Sequence, residues 1–180
     1  MKVINLFGSP CAGKSTTSAG LFFLMKINHE VISSVEIVTE FAKDLVYSGR
    51  TKELAGDNQV YIVSKQYGRL HRLRGQVDYV VTDSPILLSS VYVADNYFPS
   101  FKPLVKEMFD SFENINFYIN RTKPYKAYGR TQNEEEACLI NDKVLNILAE
   151  YNIDYVDVDG DVTAPRKIFE AIKKIGGLNG

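Results

Sequence analysis

The sequence predicts an α/β fold in which helices flank a parallel sheet. Two observations lead to this fold class. Short apolar runs alternate along the chain with longer segments of helical periodicity, which is typical of repeated βαβ units. A loop of the pattern G-x-x-x-x-G-K-S lies between the first predicted strand and the first predicted helix, where a βαβ unit places such a loop.

Composition indicates one compact domain over residues 1–180. The chain has 180 residues, of which 45% are hydrophobic and 12% aromatic, and this length and content suffice for a single core. Lys and Arg number 21 against 22 Asp and Glu, so the formal net charge is −1. Such a balance argues against nucleic-acid binding through bulk charge, although it permits a local basic face.

The cysteines and the apolar runs bear on the cellular compartment. Cys11 and Cys138 are too few for a disulfide-rich scaffold or a four-cysteine zinc site. No apolar stretch approaches the roughly 20 residues that cross a bilayer, and the first apolar run is broken by Asn5 and too short for a secretory leader. We therefore expect a soluble, cytoplasmic protein without a membrane partner.

Five segments have the apolar or β-branched character of strands. They cover residues Lys2–Phe7, 31–38, 77–82, 115–119 and 155–158. The third, Val-Asp-Tyr-Val-Val-Thr, is the most strand-like and ends directly before Asp83. The fifth is followed by the turn Asp159-Gly160-Asp161.

Six segments show helical periodicity or helix boundary signals. The first covers residues 14–26. Thr39 is the expected N-cap of the second, which runs through Tyr47, and Asp57 is the expected cap of the third, which runs to about Arg74. The others are residues 101–112, a helix opened by Asn133 and Glu136 that runs to about Tyr151, and a last helix with Pro165 in its first turn.

The glycine-containing loop predicts a phosphate-binding site. It comprises Gly8-Ser9-Pro10-Cys11-Ala12-Gly13-Lys14-Ser15 and matches the pattern in full. Gly8 and Gly13 permit backbone conformations that let successive N–H groups surround phosphate oxygens, and the next helix adds its positive N-terminal end. We expect Lys14 to reach the β- and γ-phosphates of a nucleotide, Ser15 to ligate Mg²⁺ and Thr16 to contact the α-phosphate.

Two carboxylates follow predicted strands, where open parallel sheets bind their ligands. Asp83 could hold Mg²⁺ or accept a proton from an attacking hydroxyl, and its alternative role is to cap the turn before Ser84-Pro85. Glu40 could be the general base, and its alternative role is a helix first-turn residue favoured by the helix dipole. The sequence leaves open which of the two is the base.

The loop over residues 120–133 is polar and basic. It contains Arg121, Lys123, Lys126 and Arg130, which is typical of a lid that brings cations onto a phosphoryl group and excludes water. Arg130 is the preferred lid cation, because it directly precedes the capped helix. The alternative is a solvated basic loop.

A second basic segment covers residues 65–74. Lys65, Arg69, Arg72 and Arg74 lie in it without any acidic residue, so it could contact a nucleotide phosphate or a DNA backbone. Gln66 in the same segment could hydrogen-bond a base edge. The alternative is a solvated helix face.

With these residues identified, the sequence resembles the small P-loop kinases, the group that includes nicotinamide riboside kinases and related phage proteins. The matching motifs run in the same order along most of the chain. More narrowly, Val-Thr-Glu-Phe-Ala-Lys-Asp-Leu together with Val-Asp-Tyr-Val-Val-Thr-Asp-Ser-Pro is similar to phage-encoded kinases, some of which phosphorylate 5-hydroxymethyluracil in DNA. The matching motifs are residues 8–16, Glu40-Phe41-Ala42-Lys43, Gln66, Thr82-Asp83-Ser84 and Arg130.

The resemblance implies a P-loop NTPase fold with a five-stranded parallel sheet, like that of nucleoside monophosphate kinases with a short lid. It implies ATP and Mg²⁺ as cofactors, with the metal on Ser15 and Asp83, and it places the nucleotide on residues 8–16 and Arg121. The expected catalytic residues are Lys14, Glu40, Asp83 and Arg130.

The acceptor expected from the resemblance is 5-hydroxymethyluracil in phage DNA, held through the basic residues of segment 65–74, in the host cytoplasm. The alternatives are a free nucleoside or nucleotide as acceptor, and a nucleotide-switched NTPase without a small-molecule acceptor.

Overall fold

A computed structural model describes residues 1–29, 32, 34–54, 56–94, 96–124 and 134–175. Its centre is a five-stranded sheet in the order β2-β3-β1-β4-β5, and the strands pair in parallel throughout. The predicted five-stranded parallel sheet is therefore confirmed. The strands are β1 (Lys2–Phe7), β2 (Val35–Val38), β3 (Tyr79–Thr82), β4 (Glu113–Asn120) and β5 (Val156–Asp159).

Helices connect the strands and cover both faces of the sheet. The short segments Thr51–Leu54, Gly56–Asn58 and Ile86–Leu88 are 3₁₀ turns. The α-helices are α1 (Lys14–Ile27), α2 (Phe41–Tyr47), α3 (Gln59–His71), α4 (Ser89–Tyr92), α5 (Phe101–Asp110), α6 (Glu134–Glu150) and α7 (Ala164–Ile175). None of the helices in the described ranges is long and apolar enough to cross a membrane.

The central strand β1 is buried on both faces because its side chains alternate between two apolar layers. Val3 and Phe7 join the layer formed with α3, α5 and α6. Ile4 and Leu6 join the layer formed with α1 and α7. Burial on both faces explains why these four residues are apolar, as is typical of strands in parallel sheets. The exception, Asn5, is also buried, and its Nδ2 donates to the side-chain oxygens of Asn114 and Asn116.

β2 and β3, the strands before Glu40 and Asp83, are shorter than the sequence predicts. We expected strands over residues 31–38 and 77–82, whereas β2 begins at Val35 and β3 at Tyr79. Ser34 and Asp78 explain the late start, since the Ser34 hydroxyl donates to Asp78 Oδ2 at 2.8 Å and accepts from the Asp78 N–H at 2.9 Å. Both strands end at the residues that the sequence predicts, Val38 and Thr82.

Candidate active site

A cleft of about 390 Å³ lies beyond the carboxyl ends of β1, β2 and β3. Residues 10–16, which follow β1, form part of its wall, and Glu40 and Asp83 come from the ends of the other two strands. Another part of the wall is apolar and aromatic. It contains Val46, Tyr47, Leu54, Ile62, Leu88 and Tyr92. The cleft therefore combines a polar loop with a surface suited to a planar organic molecule.

The loop before α1 adopts a left-handed conformation at three positions. Gly8 has φ of 135°, Cys11 of 67° and Gly13 of 97°, and alternation of this kind turns backbone N–H groups inward to form an anion-binding concavity. The ammonium of Lys14 donates to the carbonyls of Gly8 at 2.8 Å and Ser9 at 2.9 Å. The loop is thus a preformed phosphate cradle with a cation within it.

Glycine is required beneath this cradle, in the turn after β5. A Cβ added to Gly160 would lie 2.0 Å from the carbonyl oxygen of Ala12. The N–H of Gly160 also donates to the carbonyl of Asn120 at 2.8 Å, which fixes the turn against the end of β4. The turn therefore supports the loop from behind.

Ser15, Asp83 and Lys43 form a compact charged cluster beside the loop. Ser15 Oγ donates to Asp83 Oδ2 at 2.5 Å, and Lys43 Nζ donates to Ser15 Oγ at 2.6 Å and lies 3.3 Å from Asp83 Oδ2. The other carboxylate oxygen of Asp83, Oδ1, is buried and has no hydrogen-bond partner among the described residues. A hydroxyl oxygen and a carboxylate with spare acceptor capacity are the donors that Mg²⁺ prefers, so these residues fit the metal.

Glu40 is the N-cap residue of α2, whereas the sequence predicts Thr39 at that position. Its backbone is extended, with φ of −64° and ψ of 120°, but its side chain makes no capping hydrogen bond. The carboxylate instead lies 3.6 Å from Lys43 Nζ and lines the cleft. The physical reason for the shift in the cap is that Gln66 takes over the capping: its Oε1 accepts the N–H of Phe41 at 3.0 Å.

The carboxamide of Gln66 therefore serves the fold at both of its ends. Its Nε2 donates to the carbonyl of Ser84 at 3.1 Å, and the residue is 3% exposed. Gln66 also lines the cleft, and these two bonds leave one N–H and one lone pair of the carboxamide over, so hydrogen bonding to a base edge stays a prediction. The residue ties the start of α2 to the segment after β3, which places Glu40 and Asp83 across one cleft.

Tyr92 forms part of the cleft wall and stays neutral. Although 39% of the residue remains accessible, burial first and the charge of Glu40 second raise the pKa of Tyr92 well above its usual value. Its hydroxyl is therefore a neutral group, able to donate a hydrogen bond close to the Glu40 carboxylate.

Comparison with known proteins places this site in a family. A family model described as an AAA domain matches residues 3–164, which span the loop, the sheet and the cleft. The chain belongs to this AAA-domain family. No curated protein sequence matches the chain significantly.

Solved structures with the same fold as this AAA domain include the NadR protein and two small kinases. NadR protein, in complex with NAD and AMP-PNP, matches with a TM-score of 0.72 and 18% identity over 99% of this chain, which spans only 50% of the NadR chain. Deoxyadenosine kinase from M. mycoides matches with a TM-score of 0.59 and 18% identity, covering 98% of this chain and 100% of the kinase. Thymidylate kinase from Candida albicans matches with a TM-score of 0.60 and 12% identity, covering 98% of this chain and 93% of the kinase. The fold is that of the small P-loop kinases.

Two of the four basic side chains expected to contact DNA are engaged within the AAA domain. Arg69 pairs with Asp44 and donates to the carbonyl of Thr39 at 3.1 Å. Arg74 donates to Ser111 Oγ at 2.6 Å and lies over the ring of Phe112.

Lys65 and Arg72 complete this group of basic residues. Both line a second, shallow groove, which is formed by residues of α3 and its C-terminal end together with Phe41 of α2. They do not line the cleft that holds Glu40 and Asp83.

Arg121 belongs to the part of the expected lid that the structure describes. Arg121 lies at the end of β4, where its guanidinium is 3.5 Å from Glu134 Oε1 and 3.7 Å from Cys138 Sγ. It does not contribute to the cleft wall formed by the described residues. Arg130, together with Lys126 and Asn133, lies outside the described residues.

Sequence reasoning missed three residues of the site. Lys43 was noted only as part of a motif, although the spacing of Glu40 and Lys43 puts both on one face of a helical turn. Gly160 was assigned only to a turn. Tyr92 belongs to the short helix α4, which has too few residues to give a periodic signal.

Proposed function

We propose that residues 1–180 act as one ATP-dependent kinase domain, which transfers the γ-phosphoryl group to a hydroxyl of a free nucleoside or nucleotide. One observation carries the proposal. The phosphate cradle, the Ser15–Asp83 pair and the Glu40 carboxylate line the same cleft of about 390 Å³, and its remaining wall combines apolar and aromatic side chains with polar ones, which are Lys43, Gln59, Gln66, Ser84 and Ser89. A volume of this size suits a small planar molecule next to a nucleotide phosphate.

The nucleotide is proposed to lie on residues 8–16, where backbone N–H groups and Lys14 contact its phosphates. Ser15 and Asp83 would hold Mg²⁺, and Thr16 is exposed on the same rim of the cleft. Bound Mg²⁺ would neutralise charge that develops on the phosphate oxygens. The described residues contain no group of three His, Cys, Asp or Glu side chains suited to a metal, in line with a cation that takes most of its ligands from phosphate and water.

Glu40 is the proposed general base. Its side chain is 34% exposed, against 3% for that of Asp83, so Glu40 is the carboxylate that an acceptor can approach. The acceptor oxygen forms a bond to the γ-phosphorus while the bond from the γ-phosphorus to the β–γ bridging oxygen breaks. The acceptor proton passes to Glu40, and ADP leaves. Lys14 and the proposed lid cation Arg130 would stabilise the charge of the transferred group, whereas Arg121 does not line the cleft.

The acceptor is proposed to be free rather than part of DNA. Arg69 already forms an ion pair with Asp44, which reduces the positive charge that a DNA backbone would meet. Arg74 keeps its charge, because its partner Ser111 is neutral. The version with 5-hydroxymethyluracil in DNA becomes one arm of the test, with Lys65, Arg72 and Arg74 as its remaining cations.

Incubation with γ-labelled ATP tests the proposal directly. The acceptors are a panel of nucleosides, nucleoside monophosphates, nicotinamide riboside and DNA that contains 5-hydroxymethyluracil. We expect label in a nucleoside or a nucleotide, and a kcat about 10²–10⁴-fold lower in Glu40→Gln because the base is lost. Glu36→Gln is the matched control, since Glu36 lies on the outer strand β2, pairs with Lys26 of α1 and does not line the cleft.

Three results would contradict the proposal in different ways. Label found in DNA alone would move the acceptor to a polymer. ATP hydrolysis that no acceptor stimulates would favour the nucleotide-switched NTPase. Full transfer activity in Glu40→Gln would remove Glu40 from the chemistry.

A further inference from the structure

The ammonium of Lys43 occupies the position where the proposed function needs a metal. It donates to Ser15 Oγ at 2.6 Å and lies 3.3 Å from Asp83 Oδ2. These are the two side-chain oxygens that the proposed Mg²⁺ would use. The Lys43 ammonium and the proposed Mg²⁺ would therefore compete for the same two oxygens.

Burial explains why a cation is held there. The side chain of Asp83 is 3% exposed, and a buried carboxylate is costly unless a positive charge or hydrogen bonds compensate it. Lys43 supplies that charge from the first turn of α2, while Lys14 donates to the loop carbonyls of Gly8 and Ser9. Lys43 itself is 37% exposed, so its side chain has room to withdraw.

A second carboxylate is available to Lys43 when it withdraws. Glu40 Oε2 lies 3.6 Å from its ammonium and belongs to the same helical turn. The lysine can therefore leave Ser15 and Asp83 without losing an ionic partner. This pairing would also place a cation beside the proposed general base.

We propose that Lys43 is a resident cation that holds the metal site closed in the nucleotide-free protein and is displaced when a divalent cation binds. The proposal rests on the proposed function, because that function supplies the metal. Its consequence is that divalent cations bind weakly on their own and bind well only with the nucleotide phosphates, which add ligands. Lys43 thus acts as a positioning residue that makes metal binding depend on nucleotide binding.

Titration with Mn²⁺ tests this competition without turnover. Electron paramagnetic resonance of free Mn²⁺ gives its affinity for the nucleotide-free wild type and for Lys43→Met, Lys43→Arg and Lys102→Met. We expect Lys43→Met to bind Mn²⁺ about tenfold more tightly, because a like charge next to the metal is gone. Lys43→Arg and Lys102→Met keep the wild-type affinity. Lys102 is an exposed residue of α5 and serves as the matched control.

Several outcomes would overturn the proposal. Equal or weaker Mn²⁺ binding in Lys43→Met would show that Lys43 only supports the buried carboxylate. Mn²⁺ affinity that survives Asp83→Asn would place the metal elsewhere. If Lys43→Met does not fold, wild-type protein with ¹³C-methylated lysines replaces it. Mg²⁺ with ADP must then shift the Lys43 resonance, identified through Lys43→Arg, and an unchanged resonance refutes displacement.

The two proposals fail separately. Mn²⁺ competition needs no acceptor and no phosphoryl transfer, so it can hold in a protein that is not a kinase. Conversely, if the wild type forms labelled product while Lys43→Met leaves the Mn²⁺ affinity unchanged, the kinase proposal holds and the proposed role of Lys43 is refuted.

Discussion

Replacing Gly160 by alanine tests whether the turn after β5 holds the phosphate cradle in place. The added Cβ would lie 2.0 Å from the carbonyl oxygen of Ala12, 2.9 Å from that of Asn120 and 3.0 Å from Ile119 Cγ2. Two of these neighbours are backbone atoms, which cannot rotate away as a side chain can. The Ala12 carbonyl must therefore move by about 1.4 Å, the difference between 2.0 and 3.4 Å, to reach an ordinary contact.

This displacement predicts a loss of both stability and nucleotide affinity. Overpacking of a tight contact costs about 1–3 kcal/mol, and we expect that loss in the free energy of unfolding. Displacement of the Ala12 carbonyl by about 1.4 Å misaligns the N–H groups of the cradle, for which we expect at least about a tenfold loss in ATP affinity. Urea unfolding measures the first quantity and isothermal titration calorimetry measures the second.

Gly68→Ala is the matched control for this experiment. Gly68 lies inside α3, and a Cβ there would meet nothing within 4 Å. Since glycine weakens a helix interior, Gly68→Ala should raise the free energy of unfolding by about 0.5–1 kcal/mol and leave ATP affinity unchanged. Wild-type stability and ATP affinity in Gly160→Ala would refute the steric argument.

Two further predictions concern buried polar groups. Gln66→Leu leaves the Phe41 N–H and the Ser84 carbonyl without their partner, so urea unfolding should show a loss of about 2–4 kcal/mol, and a loss below about 0.5 kcal/mol would contradict the bridging role. Burial raises the pKa of Tyr118 to about 12, and its hydroxyl donates to Asn141 Oδ1 at 2.6 Å. Because the folded pKa lies above the unfolded one, the stability contributed by the neutral hydroxyl is complete below about pH 10 and is lost as the pH rises through about 12. Tyr118→Phe should lack this decline in urea unfolding curves recorded across that range, and an identical decline in the variant would count against it.

The sequence predicts the cradle and the first strand well because both follow from local patterns. The motif from Gly8 to Ser15 encodes its own backbone geometry through two glycines, and the left-handed conformations of Gly8 and Gly13 match that expectation. The first strand is an apolar run bounded by this motif, so its limits, Lys2–Phe7, agree with the structure.

The start of α2 and the pairing of Lys43 with Asp83 depend instead on contacts between residues far apart in the chain. Gln66 accepts the N–H of Phe41 from 25 residues away, and this contact, not a local capping signal at Thr39, fixes the start of α2. Lys43 reaches Asp83 across 40 residues. No periodicity or spacing in the sequence reveals such a pair, because each partner alone is typical of an ordinary exposed helix or turn.

The difference in burial between Glu40 and Asp83 also bears on whether the proposed acceptor is a free nucleoside or a base in DNA. Asp83 is enclosed between Ser15 and Lys43, which suits it to hold the proposed cation. Glu40 is the more exposed of the two carboxylates and is the one that we propose meets the acceptor hydroxyl. Glu40 lies inside a cleft that is also walled by Tyr47 and Tyr92. A base within duplex DNA would have to leave its stack to enter, at a cost of a few kcal/mol that a free nucleoside does not incur. Because Arg69 already pairs with Asp44, backbone contacts would offset less of that cost, and the balance favours a free acceptor.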